Sequence, residues 1–262
     1  MTTRRLATIT AILLTIPALL PLAWALATAF GVDLVAPTSS APSADGFARV
    51  FSSGSFGRWI VNSLWVAGAS TLLATLLCSL AGFALSSFRF RGRWLVVVIL
   101  LATALLPPPV AVIGLFEMAA STGGIDTYWA ALLPGAFSVF GVFLYVSAFR
   151  STPAELLDAA RLDGCGEFRA WWSIALPTVR PTTDAFVLLH FLGGWNALLW
   201  PAAILVSEPK QTLPVALSNL TAGATFEADP AATAAALTLA VLPVFALFVF
   251  TAGQLLGGDE AT

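Results

Sequence analysis

Six stretches of this chain, 8–30, 60–86, 94–118, 128–149, 183–206 and 231–256, are apolar and long enough to cross a bilayer. A helix spans the hydrocarbon core in about 20 residues. Gly, Pro or charge separates each run from the next, the usual punctuation of loops. Lipid offers the backbone no hydrogen bonds, so such runs must satisfy their own N–H and C=O groups as helices. The predicted fold class is all-α, a polytopic membrane protein of six transmembrane helices forming one domain over 1–262.

Composition agrees. Of 262 residues 58% are hydrophobic and 10% charged, against about 25% charged in an ordinary soluble domain. The first run follows Arg4 and Arg5, as in a signal peptide, but it exceeds the roughly 7–15 residues of a signal core. No small-residue cleavage site follows, so it is expected to be retained.

Cations accumulate on the cytoplasmic side of membrane proteins. An inward N-terminus puts Arg4, Arg5, Arg89, Arg91, Arg93, Arg150, Arg161, Arg169 and Arg180 inside, and only Arg49, Arg58 and Lys210 outside. Both termini are therefore expected in the cytoplasm. Trp59, Trp94, Trp129, Trp171 and Trp172 fall near predicted span ends, where indole rings anchor in the headgroup zone. Segment 31–58, rich in Ser, Pro, Gly and Ala, reads as an outer loop with one short surface helix.

Several functions are disfavoured. No basic stripe interleaved with aromatics suits a nucleic acid. Cys78 and Cys165 lie far apart and His190 is the single histidine, which argues against a disulfide framework or a zinc site. The one lysine, Lys210, lies in no Gly-x-x-x-x-Gly-Lys phosphate loop, and no nucleophile elbow accompanies His190. The chain is read as a non-enzyme, with His190 either a helix-packing polar residue or a proton relay.

One insert breaks the apolar pattern: "ELLDAARLDGCGEFRAWWSIALP", 155–177. Thr152 as cap, Pro153 at the first position and Glu155 returning a bond to the cap predict a helix over 153–163, about 16 Å long. Gly164 suits the positive φ that ends a helix. Phe168, Trp171, Trp172 and Ala175 then share one helical face, predicting a second helix lying on the membrane with its aromatics dipped in. Pro177 and Pro181 turn the chain into the fifth span.

Asp158-Ala159-Ala160, three residues, Gly164, nine residues and Ile174-Ala175-Leu176-Pro177 resemble the "EAA" signature of ABC-importer permeases. Asp158 stands where Glu is usual, and Cys165 where a small Ala is common. "NSLWVAGASTLLATLLCSLAGFALSSFRFRGR" (62–93), "FLGGWNALLWPAAIL" (191–205) and "QTLPVAL" (211–217) resemble the carbohydrate branch, in particular the maltose-importer G subunit.

The resemblance implies a type I ABC importer permease in a bacterial plasma membrane. It makes 150–181 a cytoplasmic coupling segment that docks on a separate ATPase through a helix over 153–164. The coupling residues would be Glu155, Asp158, Ala159, Ala160, Arg161, Asp163, Gly164, Ile174, Leu176 and Pro177. Implied partners are a second homologous permease, two copies of a nucleotide-binding ATPase, an extracytoplasmic solute-binding (lipo)protein and a sugar. ATP and magnesium would sit on the ATPases, with no cofactor on this chain.

Polar groups inside spans often mark a pathway. Trp195 and Asn196, an aromatic face beside an amide, suit a sugar; Asn196 is read equally well as glue between two helices. Pro107-Pro108-Pro109 interrupts the third span, and the break at Pro108 is expected to face the bundle interior, where freed backbone groups are covered. Two alternatives stay open. One is the same mechanism with another cargo, such as a glycerol phosphate or amino acid. The other is an ion-driven transporter, which would be expected to show sequence repeats and ion pairs deep in its spans, and neither is seen.

Overall fold

The computed structural model describes residues 17, 19–32, 42–52, 54–222 and 229–256, without the side chains of 108, 154, 221, 222 and 247–256. All regular elements among them are helical. They are α1 (Leu19–Ala29), α2 (Asp45–Ser52), α3 (Phe56–Ser87), α4 (Arg93–Ala104), α5 (Pro108–Ser121), α6 (Tyr128–Leu132) and α7 (Val139–Ser151). There follow α8 (Ala154–Leu162), α9 (Glu167–Ala170), α10 (Leu176–Thr178), α11 (Arg180–Trp195), α12 (Leu199–Ile204), α13 (Leu213–Ala222) and α14 (Pro230–Leu256). Most of the predicted 8–30 span lies outside the described residues.

α3 forms because 32 residues pass without proline, and it is the one described helix long and apolar enough to cross a membrane unaided. The other spans are built from pieces. The predicted 94–118 run is α4 and α5, bent by 103°. The 128–149 run is α6, a 3-10 turn at Leu133–Ala136 and α7, bent by 41°. The 183–206 run is α11 and α12, parted at 196–198.

α3 is the axis on which α7 and α11 pack. Small residues set the spacing. A Cβ on Gly82 would stand 2.5 Å from the Tyr145 Cβ, and one on Gly141 2.5 Å from the Phe186 ring. Such contacts let apolar helices approach closely where no hydrophobic effect drives them together. One core joins Cys78, Phe83, Tyr145, Phe149, Trp171 and Phe186. A second, toward the other end of α3, joins Phe56, Trp59, Trp195, Leu213 and the alanines 234–236 of α14.

The alternation of helices sorts charge by end. Arg89, Arg91 and Arg93 flank α4's start, at the same end as Arg150, Arg161, Arg169 and Arg180. Arg49, Arg58 and Lys210 gather at the other end, where Arg49 pairs with Asp229 at 2.6 Å, tying α2 to the approach to α14.

Four expectations are corrected. Thr152 does not cap the insert helix: its hydroxyl donates to the Ala148 carbonyl, continuing α7's bonding, and Pro153 takes the cap position with no side-chain bond. The next segment is no free surface helix. It widens into a π turn at Trp171–Ala175, so Trp171 and Ala175 enter the core while Phe168 and Trp172 stay exposed. Trp171, and Trp59 at 7% exposure, are thus core residues rather than anchors, whereas Trp94, Trp129 and Trp172 are exposed. Finally, the proline break does not face this chain's interior. Pro107 and Pro109 are exposed and Leu105 is 83% exposed. Its backbone is instead satisfied locally, by Leu105 N–H to Ala102 O, Leu106 N–H to Thr103 O and Val110 N–H to Pro107 O.

Candidate functional site

The charged insert folds as a short helix held rigidly against the body. α8 ends in a Schellman arrangement: the Cys165 amide bonds back to Ala160 O at 2.9 Å and the Gly164 amide to Arg161 O at 3.0 Å. Gly164 takes φ +78°, and an added Cβ would meet nothing within 4 Å. The need for glycine is therefore purely backbone. Gly164→Ala is expected to destabilise this helix end by about 1 kcal/mol, read as faster hydrogen exchange at the 164 and 165 amides with the global Tm barely moved.

Arg161 fixes the turn. Its Nε and Nη2 donate to the two Glu167 carboxylate oxygens at 2.9 and 3.1 Å, and Nη1 donates to Asp158 at 3.2 Å. The guanidinium thus clasps α8 to α9 across Gly164. Glu167 escaped the sequence reading, because a partner six residues away across a glycine turn follows no helical spacing. Asp158, two-thirds exposed, is turned toward Arg161, and Asp163 makes no ion pair among the described residues.

α8 has two faces. Ala160 is buried and Leu157 packs on the core that contains Trp171. Glu155, Leu156, Asp158, Ala159, Leu162, Asp163 and Gly164 look outward. Leu162 is 90% exposed, an apolar knob ringed by charge. Ile174 and Leu176 are half-buried in and after the π turn, with Pro177 exposed at α10. The structure thus brings Glu155, Asp158, Ala159, Leu162, Asp163 and Gly164 onto one projecting surface, puts the predicted coupling residue Ala160 on the opposite, buried face, and places Ile174, Leu176 and Pro177 behind it as the connection to α11.

The other candidate residues sit at the break in the fifth span. Asn196 caps α11, its amide donating to Leu192 O at 2.9 Å. Trp195 is buried and stacks on Phe191 with centroids 6.0 Å apart. Both line a cavity of about 460 Å3 with Leu213, Pro214 and Ser218 of α13 and Val244 of α14. Irregular backbone at membrane depth is tolerated where it borders a cavity or protein, and 196–198 fits that rule. The proline break around Pro108 is not part of this cavity.

At the end opposite the insert, Asp126 gathers the loop after α12. Its carboxylate accepts from the Ser207 amide at 3.0 Å, the Ser207 hydroxyl at 2.7 Å and Lys210 Nζ at 2.9 Å. Asn62 of α3 donates to Pro209 O and Gln211 O and accepts from the Tyr128 hydroxyl. The Ser207 hydroxyl and amide, opposed by burial and helped by Lys210, lower the Asp126 pKa to about 2. That lies below the unfolded value near 3.9, so the clasp's contribution is full above about pH 4 and is lost as pH falls through about 2. The Ser207 amide is therefore expected to stay protected from hydrogen exchange at pH 4 and to lose protection near pH 2. In Asp126→Asn it should be weakly protected throughout; equal protection in both proteins would rule the clasp out.

Residues 74–255 match the family described as "Binding-protein-dependent transport system inner membrane component". The chain is 31% identical over 220 residues to the arabinooligosaccharides transport system permease protein AraQ of Halalkalibacterium halodurans, covering 82% of this chain and 78% of that one. It is 35% identical over 149 residues to the sn-glycerol-3-phosphate transport system permease protein UgpE of Yersinia pestis, covering 57% of this chain and 53% of that one. Its fold matches a chain in the crystal structure of a bacterial ABC transporter involved in import of the acidic polysaccharide alginate, with TM-score 0.81, 21% identity and 96% of each chain covered.

Proposed function

This chain belongs to the family of binding-protein-dependent transport system inner membrane components, and from that premise we propose that it is a permease subunit of an ATP-driven sugar importer. The observation that carries the reading is the projecting α8 surface. A capped, clasped nine-residue helix presents Leu162 and a charged ring at the arginine-rich end of the bundle. Such a knob is suited to seat in a groove of an ATP-hydrolysing subunit, and the Arg161–Glu167 clasp lets it pass on a push without bending.

In this reading the arginine-rich end faces the cytoplasm, both termini lie there, and six spans cross the membrane as one domain. A second permease completes the bundle, two ATPase copies hold ATP and magnesium, and a solute-binding protein delivers the cargo at the Asp126–Lys210 end. This chain binds no cofactor and carries out no reaction of its own. Glu155, Asp158, Ala159, Arg161, Asp163 and Gly164 form the contact, Ala160 holds α8 against the body from its buried face, and Ile174, Leu176 and Pro177 relay the movement into α11. Trp195 and Asn196 border the route at the broken fifth span.

A sugar is favoured by the arabinooligosaccharide relative, matched along 78% of its length. The glycerol-phosphate relative, matched along 53%, supports a second reading with the same mechanism and a phosphorylated cargo. Cysteine cross-linking tests the core of the proposal. A Leu162→Cys variant is expected to cross-link to a co-expressed ATPase subunit, and a cysteine at Ser207 to react only with reagent added outside the cell. Labelling of position 162 from the outside would overturn the assignment.

A further inference from the structure

A second cavity, of about 500 Å3, lies on the other wall of the break in the fifth span. Gly193, Gly194 and Ala197 border it, while Trp195 and Asn196 turn to the first cavity. Its volume falls within the roughly 300–1,000 Å3 of small-molecule sites. It reaches Ser70, near the middle of α3, and so sits at mid-depth in the bundle.

Its lining is unusual for mid-membrane. None of the lining residues is Asp, Glu, Lys or Arg. Against mostly apolar walls it holds the Phe186 and Trp200 rings, the Ser70 and Ser138 hydroxyls and the His190 imidazole. The imidazole is oriented by Thr71 of α3, whose hydroxyl lies 3.2 Å from Nδ1, and by a hydrogen bond to the Gly135 backbone. A polar group at this depth is costly and usually functional. Gly193 adds an independent sign. It lies inside α11, where glycine weakens a helix by about 1 kcal/mol relative to alanine, yet a Cβ there would touch nothing within 4 Å. No neighbour among the described residues requires this glycine, and an added side chain at 193 would extend into open space at the cavity wall.

We infer that this cavity is a sugar subsite contributed by this chain itself, selective for an uncharged glycosyl unit, with His190 as its hydrogen-bonding residue. A sugar ring offers an apolar C–H face to the half-buried Trp200 and hydroxyl edges to His190 and Ser138, while the fully buried Phe186 ring and the Ser70 hydroxyl, already bonded to Ala67 O, form the floor. A phosphate or carboxylate would be stranded there without a countercharge, at a prohibitive desolvation cost. The inference rests on the sugar-importer reading and narrows it to neutral cargo.

The test uses the complete importer in proteoliposomes, with arabinotriose and lactose as neutral probes and glycerol 3-phosphate and an alginate trisaccharide as charged ones. The wild type is expected to take up a neutral probe and neither charged one. His190→Phe and Gly193→Leu should each raise the half-saturating concentration by about tenfold, the effect of one lost hydrogen bond or of a filled site. His190→Gln should recover most of the affinity. Each variant should co-purify with the ATPase subunit in wild-type amount, confirming assembly. A Gly193→Cys variant, which leaves the polar groups in place, should be shielded from maleimide by the transported probe.

Unchanged uptake in His190→Phe and Gly193→Leu, or no shielding at 193, would overturn the subsite and leave the cavity to lipid or to the partner permease. Uptake of a charged probe by the wild type would overturn the neutral-cargo selectivity. If the wild type imports none of the sugars, the importer reading falls and takes the subsite with it; if it imports a sugar that the variants import equally well, the subsite alone falls.

Discussion

Leu162→Asp is expected to abolish uptake and release the ATPase from the membrane while leaving the permease folded. Leu162 is 90% exposed, so the substitution removes no internal contact, and surface changes of this kind usually shift stability by less than about 0.5 kcal/mol. At an interface the arithmetic reverses. Burying a leucine against a partner contributes about 1.5–3 kcal/mol, and an unpaired carboxylate in its place adds a desolvation penalty. A loss of 2 kcal/mol or more corresponds to about thirtyfold weaker association, typical of a residue at the centre of an interface. Retention of the ATPase on washed membranes is the measurement, with Leu162→Met as the tolerated control. Asp158→Arg should weaken coupling by a separate route, since it sets a cation against Arg161 and loosens the clasp to Glu167. Full uptake in Leu162→Asp would remove α8 from the ATPase contact.

Much of this was legible before any coordinates, because lipid leaves an apolar run few choices. The all-helical character, the sorting of arginines to one end among the described residues, the insert helix and the positive φ of Gly164 follow from hydropathy, charge and turn chemistry. What escaped depends on register or on distance along the chain. Phe168, Trp171, Trp172 and Ala175 share a face at 3.6 residues per turn, but the π turn rewinds the segment and buries only Trp171 and Ala175. Asn62 looked like part of a span opening, yet it binds carbonyls nearly 150 residues away. Nothing local announces such a partner. Trp195 and Asn196 do share a cavity wall, but Asn196 spends its amide on Leu192, a role that neither the pathway nor the helix-glue reading foresaw. His190 was read as packing or relay, and its place beside Thr71 on a cavity wall needed three helices to come together.

Trp171→Ala is expected to destabilise the permease and to break the link between the insert and the spans. The side chain is 1% exposed, its ring lies 5.2 Å from Phe168 and 5.4 Å from Trp172, and it joins the core that includes Phe83, Phe149 and the half-buried Leu157 of α8. It is therefore the peg that connects α8 to α3 and α7. Truncating a buried tryptophan to alanine costs about 3–5 kcal/mol, which should lower the Tm of the detergent-solubilised protein by several degrees. Trp171→Phe separates packing from polarity. The Trp171 Nε1 is buried without a hydrogen-bond partner among the described residues, and an unsatisfied donor costs about 1–3 kcal/mol. Phenylalanine gives up some buried area but removes that donor, so its net cost should be small. If the peg transmits movement, Trp171→Ala in the assembled importer should hydrolyse more ATP per sugar imported than the wild type, and Trp171→Phe should restore the ratio. A Trp171→Ala protein with unchanged Tm and unchanged ATP per sugar would show that the insert reaches the spans by another path, through Leu157 or directly along α10 into α11.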